Sequence, residues 1–92
     1  MTKTLFGLTF SRAAAGFLDA MPHGKIRAQL AKKAKSLIAN IRPMNCKKLK
    51  GLKEGDDPVW RIRSGDYRIL YSVRDNEVLI LDIDNRKDVY KK

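Results

Sequence analysis

Arg61 and Arg63 stand two residues apart in the alternating stretch Val59-Trp60-Arg61-Ile62-Arg63, and Arg68 follows a short turn. Side chains two apart on an extended strand project from one face, so Arg61 and Arg63 share a side. The Ser64-Gly65-Asp66 turn is short enough for a hairpin that sets Arg68 beside them. Arg86 leaves the end of a later apolar segment, where it can arrive from a neighbouring edge. Lys47, Lys48, Lys50 and Lys53 flank the group from the preceding segment. Guanidinium groups gathered on one surface repel one another, and folding alone gives little reason to gather them. Phosphate gives a direct one, because the planar guanidinium fork engages its oxygens bidentately. The chemistry these spacings offer is therefore recognition of a phosphorylated polyanion. A solvated sheet face, on which arginine commonly alternates with apolar residues, is the plainer reading that stays open.

Other chemistries are poorly supplied. The only cysteine, Cys46, and the only histidine, His23, exclude an internal disulfide, a cysteine-cluster zinc site and a multi-histidine centre. Cys46 reads as an inert thiol and His23 as a polar turn residue. Asp82 and Asp84 form a carboxylate pair without an evident third ligand, so no metal and no cofactor are expected. The longest apolar run, Val78-Leu79-Ile80-Leu81, is far shorter than the ~20 residues of a membrane span. The amino end lacks the apolar core of a signal peptide, which makes the cytoplasm the expected location.

The 92 residues suffice for one domain, expected to span 1–92, and carry a net charge of +10. That excess is uneven. Residues 1–53 hold twelve Lys or Arg and one acid, Asp19, whereas residues 54–92 hold eight basic and nine acidic residues. Attraction for a polyanion thus comes mainly from the first half of the chain.

The elements that must position these groups follow from periodicity. Residues 3–10 alternate as a first strand. Ser11 stands as the N-cap of a helix over 12–21, ended by Pro22-His23-Gly24. Residues 25–41 read as a second helix, whose Ile26, Leu30, Ala34, Leu37 and Ile41 fall in a sector about 80° wide. Lys25, Arg27, Lys32, Lys33 and Lys35 read as its solvated face. Pro43 ends that helix, and residues 45–57 read as a long lysine-rich loop. Strands are expected over 59–63, 67–74 and 78–83, with Trp60 and Tyr71 in the core and Asp75-Asn76 as a two-residue hairpin. The unbroken apolar run of the last strand suits burial on both sides. The order βααβββ predicts an α+β domain, with a two-helix hairpin on one face of a small, mainly antiparallel sheet and the other face free.

Three motifs then stand in order: Lys47-Lys48-Leu49-Lys50-Gly51, Arg61-Ile62-Arg63-Ser64-Gly65-Asp66-Tyr67-Arg68-Ile69-Leu70-Tyr71, and Arg86-Lys87-Asp88-Val89-Tyr90. Together they resemble the RelE branch of the RelE/ParE toxin superfamily over nearly the whole chain. The resemblance implies a toxin of a type II toxin–antitoxin pair. RelE-like members enter the ribosomal A site and cleave mRNA without metal, by attack of a 2′-hydroxyl on the adjacent phosphate. ParE-like members share the fold and act on DNA gyrase.

By that resemblance, Arg61, Arg68 and Arg86 would clamp the scissile phosphate, and Tyr90 would stack on a base or take part in proton transfer. Arg63 and Lys48 would support them, and Lys47, Lys50, Asn85 and Lys87 would contact the RNA. The implied partners are the ribosome, mRNA and an acidic cognate antitoxin in a hetero-oligomeric complex. Many relatives carry a histidine where this chain has Asn85. Asparagine can hydrogen-bond a ribose but cannot shuttle protons, so charge stabilisation is better provided for than general acid–base catalysis. Three readings follow: a ribosome-dependent mRNA endoribonuclease, a ParE-like gyrase inhibitor, and a catalytically weak RNA-binding relative.

Overall fold

Where strand, turn and cap residues coincide in the sequence, the chain folds as local chemistry dictates. The computed structural model describes residues 6–22 and 24–85. Residues 3–5 of the expected first strand, His23, Arg86, Lys87 and Tyr90 lie outside the described residues. The elements run β1 (Gly7–Phe10), α1 (Arg12–Ala20), α2 (Lys25–Ser36), β2 (Lys47–Glu54), β3 (Asp57–Ser64), β4 (Tyr67–Arg74) and β5 (Glu77–Asn85). They form an α+β fold with one five-stranded sheet in the order β1-β5-β4-β3-β2. Only the β1–β5 pair is parallel, and the others are antiparallel. Both helices lie on one side, as the hydrophobic patterning predicts.

Ser11 is the N-cap of α1, its hydroxyl oxygen accepting the Ala14 amide at 3.1 Å. The same hydroxyl donates to the Leu81 carbonyl at 2.6 Å, so one side chain starts the helix and anchors it on β5. Leu81 offers that carbonyl because a bulge interrupts the β4–β5 ladder. Leu70 pairs with Asp82 but Tyr71 with Ile80, which leaves Leu81 as the extra residue. The bulge shifts the phase of β5. Val78 and Ile80 face the helices before it and Ile83 after it, and all three are buried. An apolar run without alternation is thus a phase shift at least as much as burial on two sides.

Ala14, Leu30, Ala34 and Leu37 complete the core against Ile62, Ile69 and Tyr71. Phe17 meets Tyr67 edge to face, with ring centroids 5.9 Å apart. Helix α2 ends at Ser36, earlier than its apolar periodicity implies. Leu37 and Ile41 still pack inward from the turns that follow, which explains why the periodicity outlives the helix. Ile26, expected on the buried stripe, is half exposed.

The lysine-rich segment expected as a loop over 45–57 forms the edge strand β2. Lys47, Lys48 and Leu49 pair with Arg61, Trp60 and Val59, and the ladder resumes at Lys53 after a register shift around Gly51 at φ 79°. Asp75 and Asn76, with φ of 50° and 63°, form the expected hairpin turn between Arg74 and Glu77.

Tyr71 is fully buried, and its hydroxyl donates to the Ile41 carbonyl at 2.6 Å, tying the segment after α2 to the sheet. Burial pushes its phenol well above the ordinary tyrosine range. Neighbouring Cys46 adds to the rise, and Arg42, stacked 3.8 Å from the Trp60 ring centroid, opposes it. Because the folded state holds this proton more tightly than the unfolded chain, its contribution to stability is complete below the ordinary value near ~10. It is lost as pH climbs from there toward the raised value. Tyr71→Phe is expected to cost about 1–2 kcal/mol at neutral pH by stranding the Ile41 carbonyl. It should also flatten the alkaline fall in stability, as measured by denaturant unfolding across a pH series.

Candidate nucleic-acid interface

Cross-strand partners share a face of a sheet, so the register fixes what lies opposite the helices. Nearest the β3–β4 turn, Arg63 pairs with Arg68, and Arg68 with Asp84. One step further in, Lys47 pairs with Arg61, Arg61 with Leu70, and Leu70 with Asp82. Leu49 and Val59 pair in the middle of the face, with Ser72, Leu79 and Thr9 at a similar level. At the far end, Glu54 pairs with Asp57, and Arg74 with Glu77. Four cations (Lys47, Arg61, Arg63 and Arg68) thus occupy one end of the helix-free face.

The structure brings Arg61, Arg63 and Arg68 together as their spacing predicts. It places Lys47 with them and turns Lys48 to the helix side, level with Trp60. Lys50 is exposed on β2 within the irregular part of that ladder. Asn85 closes β5 opposite Tyr67, on the helix side. Arg86, Lys87 and Tyr90 lie beyond the described residues.

Sequence reasoning marked Asp82 and Asp84 as a carboxylate pair but missed their place on this face. Asp84 accepts from Arg68 Nε at 3.0 Å and from Nη2 at 3.1 Å, a fork in which both side chains are largely shielded from solvent. Asp82 accepts the Ile83 amide at 2.8 Å. The bulge at Leu81 turns both acids to the arginine side, and the pairing of Asp84 with Arg68 depends on a register that the linear sequence does not display. A polyanion binding here meets an arginine already held in place by a carboxylate. Among the described residues, no group of three or more His, Cys, Asp or Glu is arranged to hold a metal ion.

The far end is acidic. A cavity of about 520 Å³ there is lined by Glu54, Asp57, Asp75 and Glu77, with Arg74 bonded to Asp57 at 3.4 Å. The open face is therefore electrically polarised along its strands.

Comparison with known proteins agrees with this architecture. The model of the ParE toxin family of type II toxin–antitoxin systems matches residues 8–90. The chain belongs to that family. Among solved structures, it is similar to the archaeal RelE–RelB complex from Pyrococcus horikoshii, at 25% identity, with 89% of this chain and 96% of that chain covered and a TM-score of 0.73. It is also similar to the toxin–antitoxin complex RelBE2 from Mycobacterium tuberculosis, at 27% identity, 92% and 95% coverage and a TM-score of 0.72. The RelB–RelE complex from Methanococcus jannaschii shares the fold at 23% identity, with 90% and 95% coverage and a TM-score of 0.66. No curated protein matches by sequence. The chain is thus a toxin of the RelE/ParE superfamily, and no helix among its described residues is long and apolar enough to cross a membrane.

Asp84→Asn is expected to weaken the fork to Arg68. The melting temperature should fall by about 4–8 °C, equivalent to roughly 1 kcal/mol. Elution from heparin should shift to higher salt, because a negative charge has left the cationic end.

Proposed function

We propose that this toxin is a ribosome-dependent mRNA endoribonuclease of the RelE type that cleaves without metal. The observation that carries the reading is the register placing Lys47, Arg61, Arg63 and Arg68 together on the helix-free face. In the reaction, the 2′-oxygen attacks the adjacent phosphorus and the 5′-oxygen leaves, so the 2′-hydroxyl proton departs and a proton reaches the leaving oxygen. Fixed guanidinium groups stabilise the charge that builds on the phosphorane oxygens. By the family resemblance, Arg86 joins Arg61 and Arg68 at the scissile phosphate and Tyr90 stacks on a base or takes part in proton transfer. Lys48, Lys50, Asn85 and Lys87 remain in this proposal as RNA contacts around that centre. Arginine is a poor proton donor, and Asn85 is not a titrating group. The ribosome is therefore assigned the work of aligning the 2′-oxygen with the phosphate.

An acidic cognate antitoxin is the proposed idle-state partner. The similar structures are complexes of RelE with RelB, and a chain of net charge +10 calls for neutralisation when idle.

A gyrase-directed reading has its own support in the match to the ParE family model. Induction separates the two, because a RelE-type toxin stops translation before replication and a gyrase poison does the reverse. The Arg68–Asp84 fork and Asn85 support the third reading, a catalytically weak RNA binder.

Arg61→Ala and Arg68→Ala are each expected to lower cleavage of ribosome-bound message by ~100-fold or more, read by toeprinting on programmed ribosomes. Naked oligoribonucleotides should be cut slowly or not at all. Fast metal-free cleavage of free RNA would remove the ribosome from the proposal, and full activity in both variants would remove the nuclease.

A further inference from the structure

Helix α2 carries a polar stripe beside its apolar one. Gln29, Lys32, Lys33 and Ser36 follow the i, i+3, i+4, i+7 spacing of a single helical face. In the fold that stripe forms one wall of a cleft of about 450 Å³, and Arg63, Ser64 and Gly65 at the β3–β4 turn form the other. Among the described residues, three cations line it and no carboxylate does, and Lys33 is half-buried.

Helix-end electrostatics does not account for this arrangement. Lysines in a last turn commonly compensate free carbonyls, but the carbonyls of residues 33–36 are already bonded. Ser36 Oγ donates to Lys33 O at 2.6 Å, Leu37 N to Ala34 O at 3.2 Å, Ile38 N to Lys35 O at 3.0 Å, and Asn40 N to Ser36 O at 3.3 Å. The lysines are therefore not needed as caps.

Arg63 connects this cleft to the cationic end of the sheet, because its cross-strand partner is Arg68. We propose that the cleft between α2 and the β3–β4 turn is a second phosphate subsite. In it, Lys32 and Lys33 hold a phosphodiester of the same RNA strand whose neighbouring phosphates lie on the arginine face, with Arg63 at the border between the two. The proposal rests on the RNA-directed reading above. The lining favours RNA over an acidic protein segment, since it has no large apolar side chain to bury a peptide's anchors. Its ammonium, hydroxyl and amide groups instead suit phosphate oxygens and their bridging waters.

The test uses the full chain and a short single-stranded RNA made uncleavable by 2′-O-methylation, with binding read by fluorescence anisotropy over a salt series. The Lys32→Glu/Lys33→Glu variant is expected to lose affinity about tenfold or more. Its slope of log K against log salt should fall by ~0.7 for each phosphate it no longer neutralises. Lys32→Arg/Lys33→Arg should retain both affinity and slope, and circular dichroism should show each variant folded. Unchanged affinity and slope in the charge-reversed variant would overturn the subsite. So would a loss of polyglutamate binding with RNA binding intact, which would make the cleft a protein-docking surface. Because the probe cannot be cleaved, loss of the nuclease reading through Arg61→Ala leaves this result separately readable.

Discussion

The cationic end of the open face depends on the phase of three adjacent strands. Side chains alternate across a sheet with a period of two, so a one-residue slip sends a whole set of charges to the opposite face. Here the β3–β4 register sets Arg63 against Arg68, and the bulge at Leu81 sets Asp84 against Arg68 from the other side. Without the bulge, the alternation that buries Val78 and Ile80 would carry Asp82 and Asp84 into the core and expose Ile83. Ser11 holds the bulge by accepting from the Ala14 amide while donating to the Leu81 carbonyl. The start of a helix and the charge pattern on the far side of the sheet are thereby mechanically connected.

Much of this was legible in the sequence because its determinants are local. Ser11 caps where a cap is read, Asp75-Asn76 adopts the left-handed conformations a two-residue hairpin requires, and Arg61 and Arg63 share a side by parity alone. Edge strand β2 was not legible. A strand exposed on both faces has no apolar alternation to display, and its lysines are what an unpaired edge carries to discourage association with other sheets. Reading it as a loop also removed the parity that separates Lys47 from Lys48. The Arg68–Asp84 fork was hidden for another reason: its partners are sixteen residues apart and meet only through the hairpin register.

That fork changes how the idle toxin is to be understood. An unpaired arginine beside Arg63 would raise the energy of the folded chain, and Asp84 offsets this within the domain at bidentate geometry. It also restricts the Arg68 rotamers, so less side-chain entropy would be lost to a phosphate bound as proposed, although the local field is weaker. The cationic end therefore combines preorganisation with partial neutralisation.

For the RNA proposed to bind here, polarisation of the open face constrains the path. Glu54, Asp57, Asp75 and Glu77 line the cavity at the far end, and an apolar level through Leu49 and Val59 separates them from the arginines. A phosphodiester chain laid along the strands would leave a cationic site and enter an acidic one. Crossing the strands near the β3–β4 turn would keep its phosphates against Lys47, Arg61, Arg63 and Arg68. Leaving past Gly65 would then take it over the Lys32–Lys33 wall of α2. A transverse path would meet cations from both layers of the described fold in succession, whereas the acids fixed by β2, β3 and β5 would oppose a longitudinal one.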